Sequence, residues 1–263
     1  MTDTGPLLIE RDGGVVTLTI NDPPRNRMGI EFMNRLEEEI AALAEDRAAR
    51  AVVITAAGDE NFSVGMDLKE LPRGIAEMGS IDAVFDQRLR VLAAIENLDK
   101  PVIATLFGYC LGGGLELPLA CHFRLAAVEG AQIGLPEMDL GTLPAWGGTA
   151  RLTRCVGRDH ALDMILRAKK ISGPEALRIG LVHGVWPNAE LKERARALAQ
   201  ELAAGPAIAV AGALQAIVGA ADRTLEEALA AEREAVRRTM GTKDQAEGMR
   251  AFMEKRKPNF TGE

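Results

Sequence analysis

Up to about residue 148 the apolar positions switch between a two-residue and a 3.6-residue rhythm; after it only the helical rhythm persists. Residues 7–10 and 15–20 are short β-type runs joined by Asp12-Gly13-Gly14, which predicts a hairpin. Phe32, Leu36, Ile40 and Leu43 fall at helical spacing and predict a core-facing helix over 31–49. The run Ala-Val-Val-Ile-Thr-Ala at 51–56 predicts a buried strand. Residues 62–69 read as a loop turning into a short helix, and 71–80 as looser chain broken by Pro72, Gly74 and Gly79. A helix over 81–98, a strand over 102–106, a glycine turn and a helix over 115–120 follow, with further strands over 123–127 and 131–134. Strand and helix in alternation predict an α/β fold, its sheet covered by helices.

Beyond Thr149 strands nearly vanish. Ser172-Gly-Pro-Glu175, Thr224-Leu-Glu-Glu227 and Thr242-Lys-Asp-Gln245 carry the capping-box signature, in which hydroxyl and acid satisfy each other's backbone N–H. Helices are predicted near 174–179, 189–204, 206–219, 225–238 and 243–257. The break at Ala204-Gly205-Pro206 divides the chain into a core, 1–204, and a helical carboxy-terminal unit, 205–263.

The totals narrow the function classes. At 263 residues the chain buries a sizeable core, and 47% hydrophobic with 26% charged residues is the balance of a soluble globular protein. A net charge of −7 disfavours a polyanion-binding surface, so no nucleic-acid partner is expected. Cys110, Cys121 and Cys155 lack metal-ligand spacing and read as free thiols of a reducing compartment. The start Met-Thr-Asp-Thr-Gly-Pro has neither basic residues nor an apolar core, and no apolar run reaches membrane-spanning length. A cytoplasmic protein without membrane contact is the expectation.

Candidate chemistry sits where the regular pattern breaks. In Gly112-Gly-Gly-Leu-Glu116 three glycines let another molecule approach the backbone closely, and a helix begins at once. Free N–H groups at a helix start suit a developing oxyanion. A carboxylate inside an otherwise apolar first turn is costly unless it is paired or working. The bland alternative is a close-packed strand–turn–helix corner with a solvated Glu. Ser63-Val-Gly-Met-Asp67 offers a second N–H, and Leu135-Pro-Glu137 a second carboxylate beside a proline. Two donors converging on one oxygen would polarise a carbonyl, while Glu116 and Glu137 share a water between them. Asp139 reads either as a third site acid or as a loop-stabilising residue.

Competing motifs fail. No Lys-Ser or Lys-Thr follows the glycines, so there is no phosphate-cradling loop. Ser63 lacks the first glycine of a nucleophile elbow. His122, His160 and His183 have no ligand neighbour at helical spacing, so no metal site is expected.

With these residues assembled, the chain resembles the enoyl-CoA hydratases of the crotonase superfamily. Five blocks in order carry the resemblance over nearly the whole length. They are Asn21-Asp-Pro-Pro-Arg-Asn26, residues 62–71 and 108–121, residues 135–157, and Gly248 to Phe260. The resemblance implies a spiral of ββα units with a helical carboxy-terminal region that packs trimers, often paired into hexamers. It implies that Met66 and Gly113 supply oxyanion-hole N–H groups to a thioester carbonyl. Glu137 would then give a proton to the α carbon and Glu116 help activate the water added across the α,β double bond. Met66, Asp67, Leu68 and Lys69 match the segment lying along CoA, and Arg25 and Arg27 match positions that meet its phosphates. Lys255 and Lys257 lie in a tail that reaches a neighbouring subunit's ligand, or else on a solvated basic face. No separate cofactor is implied, since coenzyme A is part of the acyl-CoA substrate. The same fold also serves double-bond isomerisation, thioester hydrolysis and decarboxylation. Two departures from the family pattern bear on acyl specificity: Arg27, and Ala145-Trp146 after Pro144. Ala145 keeps the N–H expected to meet the water; Trp146 either narrows the acyl pocket or packs beneath it.

Overall fold

The computed structural model describes residues 5–263, so the expectation of no leader at 1–4 falls outside the described residues. Its strands in chain order are β1 (Leu7–Asp12), β2 (Val15–Ile20), β3 (Ala51–Ala56), β4 (Val102–Leu106), β5 (Tyr109–Leu111), β6 (Phe123–Ala127), β7 (Gln132–Gly134) and β8 (Gly184–Trp186). β1 and β2 form the expected antiparallel hairpin, Leu7 opposite Ile20. From β2 onward every pairing is parallel, giving a six-stranded sheet in the order β1-β2-β3-β4-β6-β8. β3 and β4 are buried at every residue, as strands covered on both faces must be.

The chain leaves each inner strand for a short rung of a second, smaller sheet. After β3, Ser63 bridges Cys110 of β5; after β4 comes β5 itself; after β6 comes β7, parallel to β5, and Ile133 of β7 bridges Ile171. Strand, rung and helix therefore recur as a spiral, and the expected α/β architecture of ββα units is the one observed. The three-residue strands β5 and β8 carry too little periodicity to be predicted.

The helices are α1 (Ile30–Glu45), α2 (Leu71–Met78), α3 (Ile81–Glu96), α4 (Gly113–Leu119), α5 (Gly148–Val156), α6 (Arg158–Leu166), α7 (Gly173–Arg178), α8 (Asn188–Ala203), α9 (Ala207–Ala220), α10 (Leu225–Thr239) and α11 (Lys243–Glu254). In α1 the four residues expected to face the core are all buried. That helix stops at Glu45 rather than 49, because Asp46 accepts hydrogen bonds from the N–H groups of Ala48 and Ala49 and so starts a turn.

The loose segment expected at 71–80 is instead the helix α2. Pro72 occupies its first turn, where no N–H is needed, and Gly79 caps its end at φ 90°. The three capping signatures also differ among themselves. Thr224 and Glu227 form the full reciprocal box. Ser172 and Thr242 cap one way only, because Glu175 turns to Arg178 and Gln245 accepts from Gly241 N–H.

α8 packs across β3, β4 and β6. α9 is apolar around nearly its whole circumference yet buries only Gly212, which lies against Ala235 of α10. The last residues are tied back to α11. Asp244 accepts from the N–H groups of Thr261 and Gly262 at 2.7 and 2.9 Å. Glu247 accepts from Arg256 and from Asn259 N–H, which hold its carboxyl well below the usual range.

Candidate active site

β4 and β5 deliver the chain to Gly112, at φ 56°, where α4 begins, and all seven residues of that helix are buried. Glu116 stands in the first turn with 2% of its surface exposed. Its Oε1 accepts hydrogen bonds from the N–H groups of Trp146 at 2.7 Å and Gly148 at 2.8 Å. Burial is the largest influence on its acidity and pushes the pKa up to about 7. The two N–H groups and the Arg151 cation pull it down, while the charge of Glu137 adds to the rise.

Glu137 opens a single 3-10 turn, Glu137–Leu140, after β7. The parallel pairing of Leu111 with Gly134 sets Gly112 beside the segment leading to Glu137. A Cβ on Gly112 would lie 3.0 Å from Glu137 Oε1. Glu137 Oε2 is buried and has no hydrogen-bond partner among the described residues, and burial raises this carboxyl's pKa as well. Two carboxylates thus flank one glycine turn, one from the helix and one from the neighbouring rung.

The second loop docks directly on that turn. A Cβ on Gly114 would sit 2.3 Å from Ser63 O, and one on Gly65 would sit 2.7 Å from Leu111 O and 3.0 Å from Gly113 N. Gly65 also has φ 90°, so glycine is required there twice over. Ser63 holds the approach: its hydroxyl donates to Asn26 O at 2.6 Å and accepts from Gly65 N–H at 3.0 Å. Asn26, fully buried, donates to Ala57 O and Asn61 O. Met28 bridges this loop through Gly65 O and Asp67 N–H, so the N–H of Met66 faces the opposite way. Neither Met66 N–H nor Gly113 N–H has an acceptor among the described residues. The expectation that both donors sit at helix starts is corrected for Met66. It belongs to an extended bridge, and α2 begins only at Leu71.

The structure therefore brings Met66, Gly113, Glu116 and Glu137 together. Asp67, Leu68 and Lys69 follow in the adjoining turn, with Leu68 57% exposed. Arg27 is held by Asp22 at 2.7 Å and Asp67 at 3.2 Å, and Arg25 is exposed one turn away. Lys255 stands apart: it ends α11 at φ 54°, exposed and touching none of these residues. Trp146 is buried, and a Cβ on Gly113 would fall 2.5 Å from its ring, so the indole packs against the glycine turn. His122 and His183 accept from the N–H groups of Val102 and Arg124 and serve the sheet.

Two contributors to the site carry no clear sequence signature. The N–H groups of Trp146 and Gly148 hold Glu116, whereas the sequence points to Ala145 N–H alone. Arg151 donates to Trp146 O at 3.0 Å and pairs with Glu96 at 2.9 Å, so it braces that loop. Its signal is faint: a cation in the first turn of α5 opposes the helix dipole and needs another reason to be there.

The family model described as Enoyl-CoA hydratase/isomerase matches residues 10–263. A "Probable enoyl-CoA hydratase" of Bacillus subtilis is 38% identical over 255 residues, covering 96% of this chain and 97% of that protein. The human "Enoyl-CoA hydratase domain-containing protein 2, mitochondrial" is 41% identical over 258 residues, covering 95% and 87%. A solved Bacillus anthracis enoyl-CoA hydratase superposes with a TM-score of 0.90 at 34% identity, covering 98% of this chain and 100% of that one. The chain belongs to the enoyl-CoA hydratase/isomerase family, of the crotonase fold.

Proposed function

We propose that this protein is an enoyl-CoA hydratase, adding water to, or removing it from, the α,β double bond of an acyl-CoA thioester. The observation that carries the reading is the convergence of a buried carboxylate, Glu116, and a half-buried one, Glu137, on one glycine turn, beside the Met66 and Gly113 N–H groups, which lack acceptors among the described residues. The thioester carbonyl accepts from Met66 and Gly113 N–H, which stabilise the enolate that forms as oxygen attacks the β carbon. Glu116 keeps Oε1 on the Trp146 and Gly148 N–H groups, so Oε2 is left to take the water's proton. Glu137 delivers a proton to the α carbon and recovers one from Glu116, leaving the pair unchanged and one water consumed. A pKa for Glu116 near 7 suits that exchange at neutral pH. Relatives named as enoyl-CoA hydratases at 37–38% identity point the same way.

The CoA moiety runs along 66–69 past Arg25 and Arg27. The same reading takes 205–263 as the trimerising unit of a cytoplasmic homotrimer or dimer of trimers, needing no separate cofactor. Exposed Leu225, Met249, Phe252 and Met253 supply apolar surface for that assembly.

The test is product analysis with crotonyl-CoA in ¹⁸O-water. Hydration adds the mass of one labelled water and keeps the thioester. Isomerisation of a 3-enoyl-CoA without mass gain, or release of the CoA thiol, would replace the hydratase reading with another chemistry of the fold.

A further inference from the structure

A tight crevice with no free space for a water adjoins Met66, walled by Met28, Ile30, Val84 and Arg88 together with the carboxylates Asp67 and Glu70. It lies where α1, α2 and α3 meet, beyond the residue whose N–H faces the thioester. Most of its wall is apolar, so the guanidinium is conspicuous. Arg88 is 1% exposed, yet it forms no ion pair among the described residues. Only Nη1 is engaged, by Val84 O at 3.2 Å, Gln87 Oε1 at 2.6 Å and Met78 Sδ at 3.9 Å, all neutral. Its Nε is buried with no partner among the described residues. A buried cation without a counter-ion is costly, and structural arginines are ordinarily paired.

The nearby acids are committed elsewhere. Glu37 accepts from Gln87 and Arg90, and Glu70 from Ile30 N–H at 2.8 Å and from Arg73. Asp67, on the same wall, is occupied by Arg27 and by Lys69 N–H. The charges of Glu37 and Glu70 offset part of the burial of Arg88, but no acid bonds its guanidinium, and Nε is left for a ligand. A guanidinium with free N–H groups matches a carboxylate in charge and geometry. The crevice is narrow, but Met66 forms one side of it, and an unbranched thioether changes rotamer readily.

We propose that Arg88 sets acyl specificity, and that the preferred substrate is a short enoyl-CoA whose acyl chain ends in a carboxylate: a monothioester of an unsaturated dicarboxylic acid. This inference rests on the hydratase reading. It is tested by comparing hydration of a five-carbon 2-enoyl-CoA ending in a carboxylate with its methyl-ended counterpart of equal length, in wild type, Arg88→Lys and Arg88→Met. Wild type favours the carboxylate substrate in kcat/KM. Arg88→Met loses roughly 10- to 100-fold more on it than on the neutral substrate, the worth of a charge-assisted hydrogen bond, and Arg88→Lys falls between. Wild-type preference for the neutral substrate, or equal losses on both, overturns the inference while leaving the hydratase reading intact. Hydration of neither substrate by wild type fails the reading itself. Should the variants not fold, calorimetric binding of the two saturated CoA thioesters to wild type decides: tighter binding of the carboxylate form supports the inference, and equal or weaker binding overturns it.

Discussion

Glu116 is buried among apolar residues, and its ionised form is tolerated because two N–H groups and the Arg151 charge offset part of the desolvation. The remainder shows as a raised pKa, with a consequence for stability. Between pH 4.5 and about 7 the folded state holds a proton that the unfolded chain releases, so stability falls as pH rises through that window. Glu116→Gln keeps the acceptor oxygen and removes the charge. Its melting temperature is expected to exceed wild type by a few degrees at pH 8 and to match it at pH 4, as scanning calorimetry reads. Arg151→Met removes the opposing cation and the brace on Trp146 O. The pH–rate limb belonging to Glu116 then moves upward and kcat falls about tenfold, measured across pH 5–9. Both acids were legible in the sequence, since a charge in an apolar helix or after a proline stands out against its neighbours. Their partners were not. The groups that hold Glu116 are main-chain N–H groups 30 and 32 positions away, and any residue type supplies an N–H.

At the scale of elements, the site depends on the 63–65 loop lying flat on the first turn of α4. Ser63 O and Leu111 O occupy the space where side chains at positions 114 and 65 would stand. Gly114→Ala is therefore expected to push the loop away and separate the Met66 and Gly113 donors. kcat/KM should fall by at least tenfold, with about 1–3 kcal/mol of stability lost to overpacking, read by turnover and chemical denaturation. Long periodic elements such as α1, α3 and the buried strands followed their pattern closely. α2 did not, because Pro72, Gly74 and Gly79 read as breakers in one dimension. In three they are a helix start, a close approach where a Cβ would stand 3.2 Å from Ile30, and a helix stop. The three-residue rungs β5 and β7 set Gly112 beside the segment leading to Glu137; the run over 131–134 was legible as a strand, whereas β5 was too short to show a pattern.

For the whole molecule, apolar surface gathers on α10 and α11: Leu225 is 76%, Phe252 82% and Met253 73% exposed. So much exposed apolar area is costly in a monomer and fits self-association. Light scattering after gel filtration is expected to give three or six copies. Phe252→Glu with Met253→Glu is expected to give smaller species that retain the fold by circular dichroism. A wild-type monomer would count against the assembly. The break between α8 and α9 was legible from Gly205-Pro206. The face that α9 to α11 offer was not, because a sequence read alone lists apolar residues without saying which of them the fold leaves outside.

The claim most in need of trial is that Glu116 and Glu137 act as one proton-handling pair. Single-turnover hydration of an enoyl-CoA that wild type accepts should be compared across wild type, Glu116→Gln, Glu137→Gln and the double variant, with thioester binding measured alongside. Each single change is expected to lower the rate roughly 10²–10⁴-fold with binding retained, and the double variant to fall little below the worse single. Near-wild-type turnover in either single variant would contradict the account.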